Sequence, residues 1–242
     1  MRYAFFSDVH SNEEALRIVL KDFQAEKVDK IFFLGDAVGY GPNPNECLAL
    51  INEIAEECLM GNHDYAALGL IETNVFNLYA RESMNWTLGH LTEKSLEIMS
   101  NFSLDFRFDN FFLVHSTPEE PTAWDYILDL DEAEKNFGYF TRQICLIGHS
   151  HIPAIIKKYK DRHCTVHLEN SIYIEEGFRY VINVGSVGQP RDGINQSCYL
   201  IYDTKEKLAT LKRIPYNIKK TQQKMKKVGL PQYLIERIGL GR

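Results

Sequence analysis

Five short apolar runs each stop at residues that can hold a metal ion. Arg2 to Ser7 runs into Asp8-Val9-His10, and Lys30 to Leu34 into Gly35-Asp36. Glu57 to Met60 leads to Gly61-Asn62-His63-Asp64, Phe111 to Val114 leads to His115, and Ile144 to Ile147 leads to Gly148-His149-Ser150-His151. Taken singly, each has a plainer reading: Asp8 and Asp36 as turn or capping carboxylates, His115 as a satisfied core histidine, Asn62 as the close of a turn. Their joint occurrence favours chemistry. Five of the eight histidines fall in or beside these clusters, whereas His90, His163 and His167 lie in polar surroundings and read as surface residues.

Carboxylate, amide and imidazole donors without a thiolate suit divalent manganese, iron, cobalt, nickel or zinc. Two carboxylates, one amide and four imidazoles exceed what one tetrahedral zinc takes, and they suit two ions that share a carboxylate. A metal pair roughly 3.5 to 4 Å apart can clamp the attacking and leaving oxygens of an in-line displacement and lower the pKa of a shared water. Phosphate-ester hydrolysis asks for that combination. Two divalent cations set against two aspartates and one hydroxide leave a positive site, so a net charge of -6 is no obstacle to an anionic substrate.

The elements that must position these residues follow from the runs themselves. A short apolar run closed by a glycine or carboxylate reads as a strand buried on both faces, and in an open α/β sheet ligands gather at the carboxyl ends. Asn12 offers a helix N-cap, with Glu13 and Glu14 in the first turn and Leu16, Val19, Leu20 and Phe23 along one apolar face. The first forty residues thus read strand, helix, strand, with the two strands parallel and joined by a right-handed crossover. Gly39 to Pro44 is a loop, and a helix from about Asn45 carries Leu48, Ile51 and Ile54 inward. Residues 65–110 read as a helical excursion with no strand before Phe111, placed over or beside the crevice, and Thr117 to Asp131 as a second covering segment. β-rich runs then dominate at 154–159, 164–168, 180–184, 198–203 and 208–214, with helices near Lys219 to Lys226 and after Pro231. An α/β first half and a β-rich second half in one domain, 1–242, imply two packed sheets flanked by helices.

Bulk properties exclude several classes. The 242 residues can bury a full core. Scattered Lys and Arg argue against duplex nucleic acid as a partner. Five cysteines without a CxxC pair read as reduced thiols of a cytoplasmic protein. Nothing approaches the ~20 apolar residues of a membrane span, and no signal peptide is expected. Oligomeric state leaves no mark in the sequence.

The ordered set Asp8-x-His10, Gly35-Asp36, Gly61-Asn62-His63-Asp64, His115 and Gly148-His149-x-His151 resembles the calcineurin-like metallophosphoesterase family. The resemblance implies an α/β/β/α sandwich of two mixed sheets and two divalent metal ions. It places Asp8, His10 and His151 on one ion, Asn62, His115 and His149 on the other, and Asp36 as the bridge. His63 would not be a ligand; it would contact the phosphoryl group and protonate the leaving oxygen. The serine/threonine phosphatase branch is similar but carries arginine soon after the bridging aspartate, and glutamate where this chain has Asp64, so phosphoprotein is not the expected substrate. Asn183 to Arg191, with glycines at 185 and 188, resembles the small bacterial and archaeal phosphodiesterase branch, which implies a small phosphate ester or nucleotide-type substrate. The plainer reading of that run is a tight loop between strands. Arg191 is the candidate to replace the missing arginine, because a guanidinium fork matches two phosphate oxygens. Gln189 is assigned to substrate beside it. A surface pair of Arg191 with Asp192 is the alternative. Two other readings stay open, a non-catalytic interaction scaffold of the same fold and a binuclear amide hydrolase; the intact His63 and seven candidate ligands weigh against the first, and the Gly-Asn-His-Asp arrangement against the second.

Overall fold

Alternate residues of β1 (Arg2–Phe6) face two different cores, and that alternation sets the layering of the chain. In a computed structural model, which describes residues 1–160 and 162–242, Tyr3 and Phe5 enter a core shared with β5 (Phe111–Val114) and β6 (Ile144–Ile147). Ala4 and Phe6 pack instead with buried residues of α1 (Glu13–Ala25) and α2 (Pro44–Ile54). β2 (Lys30–Phe33) repeats the pattern, with Phe32 between the sheets and Phe33 toward the helices. β5 and β6 send Phe111, Leu113, Ile144 and Leu146 inward, and Phe112, Val114, Cys145 and Ile147 toward α6 (Leu130–Asn136). Helix, sheet, sheet and helix layers result, the α/β/β/α sandwich expected from the sequence.

The first sheet has the order β3-β2-β1-β11-β12-β9, where β3 is Glu57–Cys58, β9 Ser171–Tyr173, β11 Ser197–Asp203 and β12 Leu208–Ile214. The second is β4-β5-β6-β10-β7-β8, where β4 is Asp105–Phe108, β7 Ala154–Tyr159, β8 Thr165–His167 and β10 Phe178–Asn183. β1, β2 and β3 run parallel, as do β5, β6 and β10. The carboxyl ends of the two trios meet where the His149 N–H donates to Asp8 Oδ2 at 3.1 Å.

Asn12 caps α1 as expected, its side chain accepting from Ala15 N. The excursion holds the end of α3 (Asn62–Ala67), which starts within the Gly61–Asp64 motif, then α4 (Leu78–Leu88) and α5 (Glu93–Ser100), but it also ends in a strand that sequence reading did not expect. β4 pairs antiparallel with β5, placing Phe106 and Phe108 against the inter-sheet core. Its signal is only two alternating phenylalanines. β9 was missed for a similar reason: three residues that pair with β12 in the first sheet, while their chain neighbours β8 and β10 belong to the second. The last helices, α7 (Ile218–Lys227) and α8 (Gln232–Leu240), pack Met225, Leu234, Ile235 and Ile238 against Tyr40 and Ala80. All five cysteines are free, and among the described residues no helix is long and apolar enough to cross a membrane.

Candidate metal centre

The five motif turns converge. Asp8, His10, Asp36 and His151 each offer a donor atom within 4.8 Å of the others, and Asp36, His115 and His149 form a second such group. Asp36 belongs to both. Every one of these residues is buried, and so are Asn62 and His63.

The loops achieve this at a local cost. Asp8, His10, Asp36, His149 and His151 all have φ between 46° and 64°, in the left-handed region that non-glycine residues avoid. β1, β2 and β6 each end in such a reversal, which turns the side chain into the crevice, and backbone bonds hold those after β1 and β2. Asp8 N donates to Gly35 O at 2.9 Å, and His10 N to Asp36 O at 3.0 Å. Asp64 secures the Asp36 turn: one carboxylate oxygen accepts from Asp36 N (2.8 Å) and Gly61 N (3.0 Å), the other from Ala37 N (3.0 Å) and Val38 N (3.3 Å). Burial and the adjacent Asp36 push the Asp64 pKa up to about 7, against the pull of those N–H donors.

Hydrogen bonds fix which nitrogen of each imidazole faces inward. His10 Nδ1 contacts Val38 O (2.9 Å), His151 Nδ1 contacts Gln189 O (2.6 Å), and His115 Nδ1 contacts Leu34 O (2.7 Å). His149 uses Nε2, on Trp124 O at 2.8 Å. A carbonyl can only accept, so each of these nitrogens carries the proton and the other ring nitrogen of a neutral ring offers a lone pair to the centre, the arrangement that metal-ligating histidines use. His10 Nε2 and His151 Nε2 lie 3.1 Å apart and within 3.7 Å and 3.2 Å of Asp8 Oδ1. His115 Nε2 is 3.4 Å from Asp36 Oδ2.

Facing lone pairs repel unless a cation lies among them. The same need shows in the unsatisfied atoms: Asp8 Oδ1, Asn62 Oδ1 and His115 Nε2 are buried with no hydrogen-bond partner. Burial pushes His10 and His151 well below their ordinary pKa and His149 down to about 3, so all three are neutral donors. Burial also opposes charge on His115, but Asp36 beside it prevails and raises that pKa to about 9, so a metal ion binding there displaces the Nε2 proton. The donor set fits divalent cations.

A polar cavity of about 210 Å³ opens onto this centre, bordered by Asp36, Asn62, His63, His149, His151 and Arg191. Its remaining walls are Tyr40, Tyr126 and residues 75–77 and 80. His63 stacks on Phe76 and meets Tyr40, and its Nδ1 has no partner. Gly39 is required there, since a Cβ would sit 2.3 Å from that nitrogen and its φ is +84°. The Asn183 to Arg191 run lies against the Asp8 turn: Gly188 N donates to Asp8 O at 2.9 Å, and a Cβ on Gly188 would fall 1.9 Å from Val9 O.

Arg191 reaches the cavity, its guanidinium donating to Gln189 Oε1 at 2.7 and 3.2 Å. Asp192 pairs with Arg213 instead of with Arg191. Gln189 is buried and does not border the cavity; it holds Arg191 with its side chain and His151 with its carbonyl. Of the three histidines read as surface residues, His90 and His163 are exposed and His167 is half-buried. Sequence reading missed Phe76, Asn77 and the carbonyl of Trp124, and gave Tyr126 no role beyond a covering segment. Tyr126 stacks on His149 with ring centroids 4.1 Å apart. A larger groove of about 500 Å³, lined by Ile127, Leu130, Ile152 and Val166 with two aspartates, has no basic side chain among its described lining residues and does not suit a phosphate ester.

The model of the calcineurin-like phosphoesterase superfamily domain matches residues 1–207. An uncharacterised protein of Methanocaldococcus jannaschii is 39% identical over 243 residues, 99% of this chain and 98% of its own length. The crystal structure of a metallophosphoesterase from Sphaerobacter thermophilus superposes with a TM-score of 0.88 at 35% identity, covering 100% of this chain and 99% of that one. A hypothetical protein from Pyrococcus horikoshii shares the fold with a TM-score of 0.80 at 15% identity, over 100% and 98% of the two chains.

Proposed function

Because this chain belongs to the calcineurin-like phosphoesterase superfamily, we propose that it is a binuclear metal-dependent phosphoesterase that hydrolyses a small phosphate ester. The observation that carries this reading is the set of four imidazoles, each tied through one ring nitrogen to a backbone carbonyl, with the donor atoms gathered beside the carboxylates of Asp8 and Asp36. Asp8, His10 and His151 would hold one ion, Asn62, His115 and His149 the other, with Asp36 common to both. When bound, such ions supply Lewis acidity toward phosphoryl oxygens and lower the pKa of a shared water.

The protein's own groups do the rest. Arg191 offers the Nη1 end of its guanidinium to phosphoryl oxygens, with Gln189 Oε1 holding the Nε–Nη2 edge in place. His63 stands on the first turn of α3, beside Asn62, and borders the cavity. Burial lowers its pKa, while a phosphoryl group next to it adds negative charge that favours the imidazolium. From that position it delivers a proton to the leaving oxygen. Tyr40 and Phe76 pack about the ring and set its orientation.

Metal analysis with a chromogenic phosphodiester assay tests the reading: two metals per chain and metal-dependent turnover are expected. His63→Gln should keep both metals and lose roughly 100-fold to 10,000-fold in turnover of esters with poor leaving groups, and less with good ones. Metal-loaded wild-type protein that hydrolyses no phosphate ester would overturn the phosphoesterase reading and leave the scaffold and amide-hydrolase readings.

A further inference from the structure

Three of the four candidate imidazoles are held from inside the fold. His10 contacts the carbonyl of Val38, His115 that of Leu34 and His151 that of Gln189, and all three of those residues are fully buried. His149 is held differently. Its Nε2 donates to Trp124 O at 2.8 Å, and its ring lies flat on Tyr126, with centroids 4.1 Å apart and planes within 15° of parallel. Both contacts come from the covering segment between the short 3₁₀ turn Pro121–Ala123 and α6. Trp124 turns the chain there with φ of 58°, Tyr126 is 43% exposed, and Ala123, Asp125 and Leu128 are exposed as well.

Side chains, not backbone, dock that segment. Among the described residues no backbone N–H of 124–127 is hydrogen-bonded. Trp124 meets Tyr65 of α3 with ring centroids 5.3 Å apart and His115 at 6.2 Å, Tyr126 lies on His149, and Ile127 packs on the core beside α6. Two of these three anchors therefore rest on imidazoles of one donor group, that of Asp36, His115 and His149. Among the described residues no ring of the segment stacks on His10 or His151, whose own rings stack on each other. Contacts that fix the plane of a ligating imidazole lower the disorder that a metal ion must remove on binding. For His149 those contacts stand on an exposed segment, and for the other three on buried chain.

We propose that Tyr126 is a positioning residue for His149: its ring, together with the Trp124 carbonyl, fixes the imidazole plane, so that the covering segment sets the metal affinity of the Asp36, His115 and His149 group and leaves that of the Asp8, His10, Asp36 and His151 group alone. This rests on the metal centre of the proposed function, and not on hydrolysis of an ester. Because Tyr126 is half in solvent, its truncation opens no cavity in the core, and a loss of metal affinity is not a loss of fold.

The test titrates manganese by calorimetry into the metal-free full chain. Wild type should take up two ions. Tyr126→Ala should bind one with wild-type affinity and the other about tenfold to 100-fold more weakly, the scale of losing an outer contact to a metal ligand. Tyr126→Phe keeps the ring and should stay within about threefold of wild type. In a His149→Ala background, which has no imidazole left to position, Tyr126→Ala should change the remaining affinity by less than about twofold. A loss shared equally by both ions, a Phe variant as weak as Ala, or a loss that persists without His149 overturns the positioning role. Wild type that takes up no second ion overturns both this role and the binuclear reading. Two ions with the selective loss, in protein that hydrolyses no phosphate ester, uphold the role and reject the phosphoesterase reading alone.

Discussion

His149 shows what the centre demands of a single residue. Its φ of 64° is one an alanine adopts only at a cost of about 1–2 kcal/mol and a glycine adopts freely. The imidazole persists there because it donates to Trp124 O, stacks on Tyr126 and presents its other nitrogen inward. Replacing it removes those contacts whatever the new residue, so the difference between two small replacements isolates the strain. With chelator present, so that metal loss is common to both, His149→Gly should melt about 2–4 °C above His149→Ala, despite glycine's greater freedom in the unfolded chain. Equal melting temperatures, or a more stable alanine variant, would show that the reversal after β6 stores no strain. The same conformation at Asp8, His10, Asp36 and His151 makes strain a property of the centre as a whole.

At the scale of elements, the Asp36 turn depends on a residue that touches no candidate metal donor through its own side chain. Asp64, in the first turn of α3, gathers four backbone N–H groups from the ends of β2 and the turn before α3. An amide in its place has one accepting oxygen and leaves two of those donors facing an NH2 group. Asp64→Asn should therefore cost about 1–3 kcal/mol and reduce metal content, because Asp36 is carried by the disturbed turn. A variant with wild-type melting temperature and full metal content would mean that the Asp36 loop is held by other contacts. Asp64 was legible in the sequence as part of a motif, but its work was not: four donors from two segments become visible only when β2 and α3 lie side by side. The five motif turns were legible because each is local, a buried run and the residues that end it. Phe76 and Tyr126 were not, since each meets the site through packing of segments far away in sequence. β4 and β9 escaped for the opposite reason, being too short for a period to register.

For the molecule as a whole, the centre is also a joint between the two sheets. Asp8, His10 and Asp36 leave the ends of β1 and β2, and Asn62 follows β3 of the same sheet; His115, His149 and His151 leave β5 and β6 of the other. The sheets share an aromatic core in which Phe5 stacks on Phe32 and Phe32 on Phe108. What the core does not supply is a partner for Asp8 Oδ1, Asn62 Oδ1 and His115 Nε2. Ions held by donors from both sheets bind the folded state alone, and at a free concentration about 100 times Kd each ion adds about 2.7 kcal/mol of stability. For a chain of this size that amounts to about 5–10 °C in melting temperature for each ion. Calorimetry with and without chelator should show such a drop, reversed when divalent metal is restored. Asp36→Asn, which removes the one carboxylate common to both groups, should melt at nearly the same temperature with or without chelator. If the wild-type protein, shown by elemental analysis to carry metal, melted identically in both conditions, the ions would not sit between the sheets, and the pairing of the two donor groups through Asp36 would have to be abandoned.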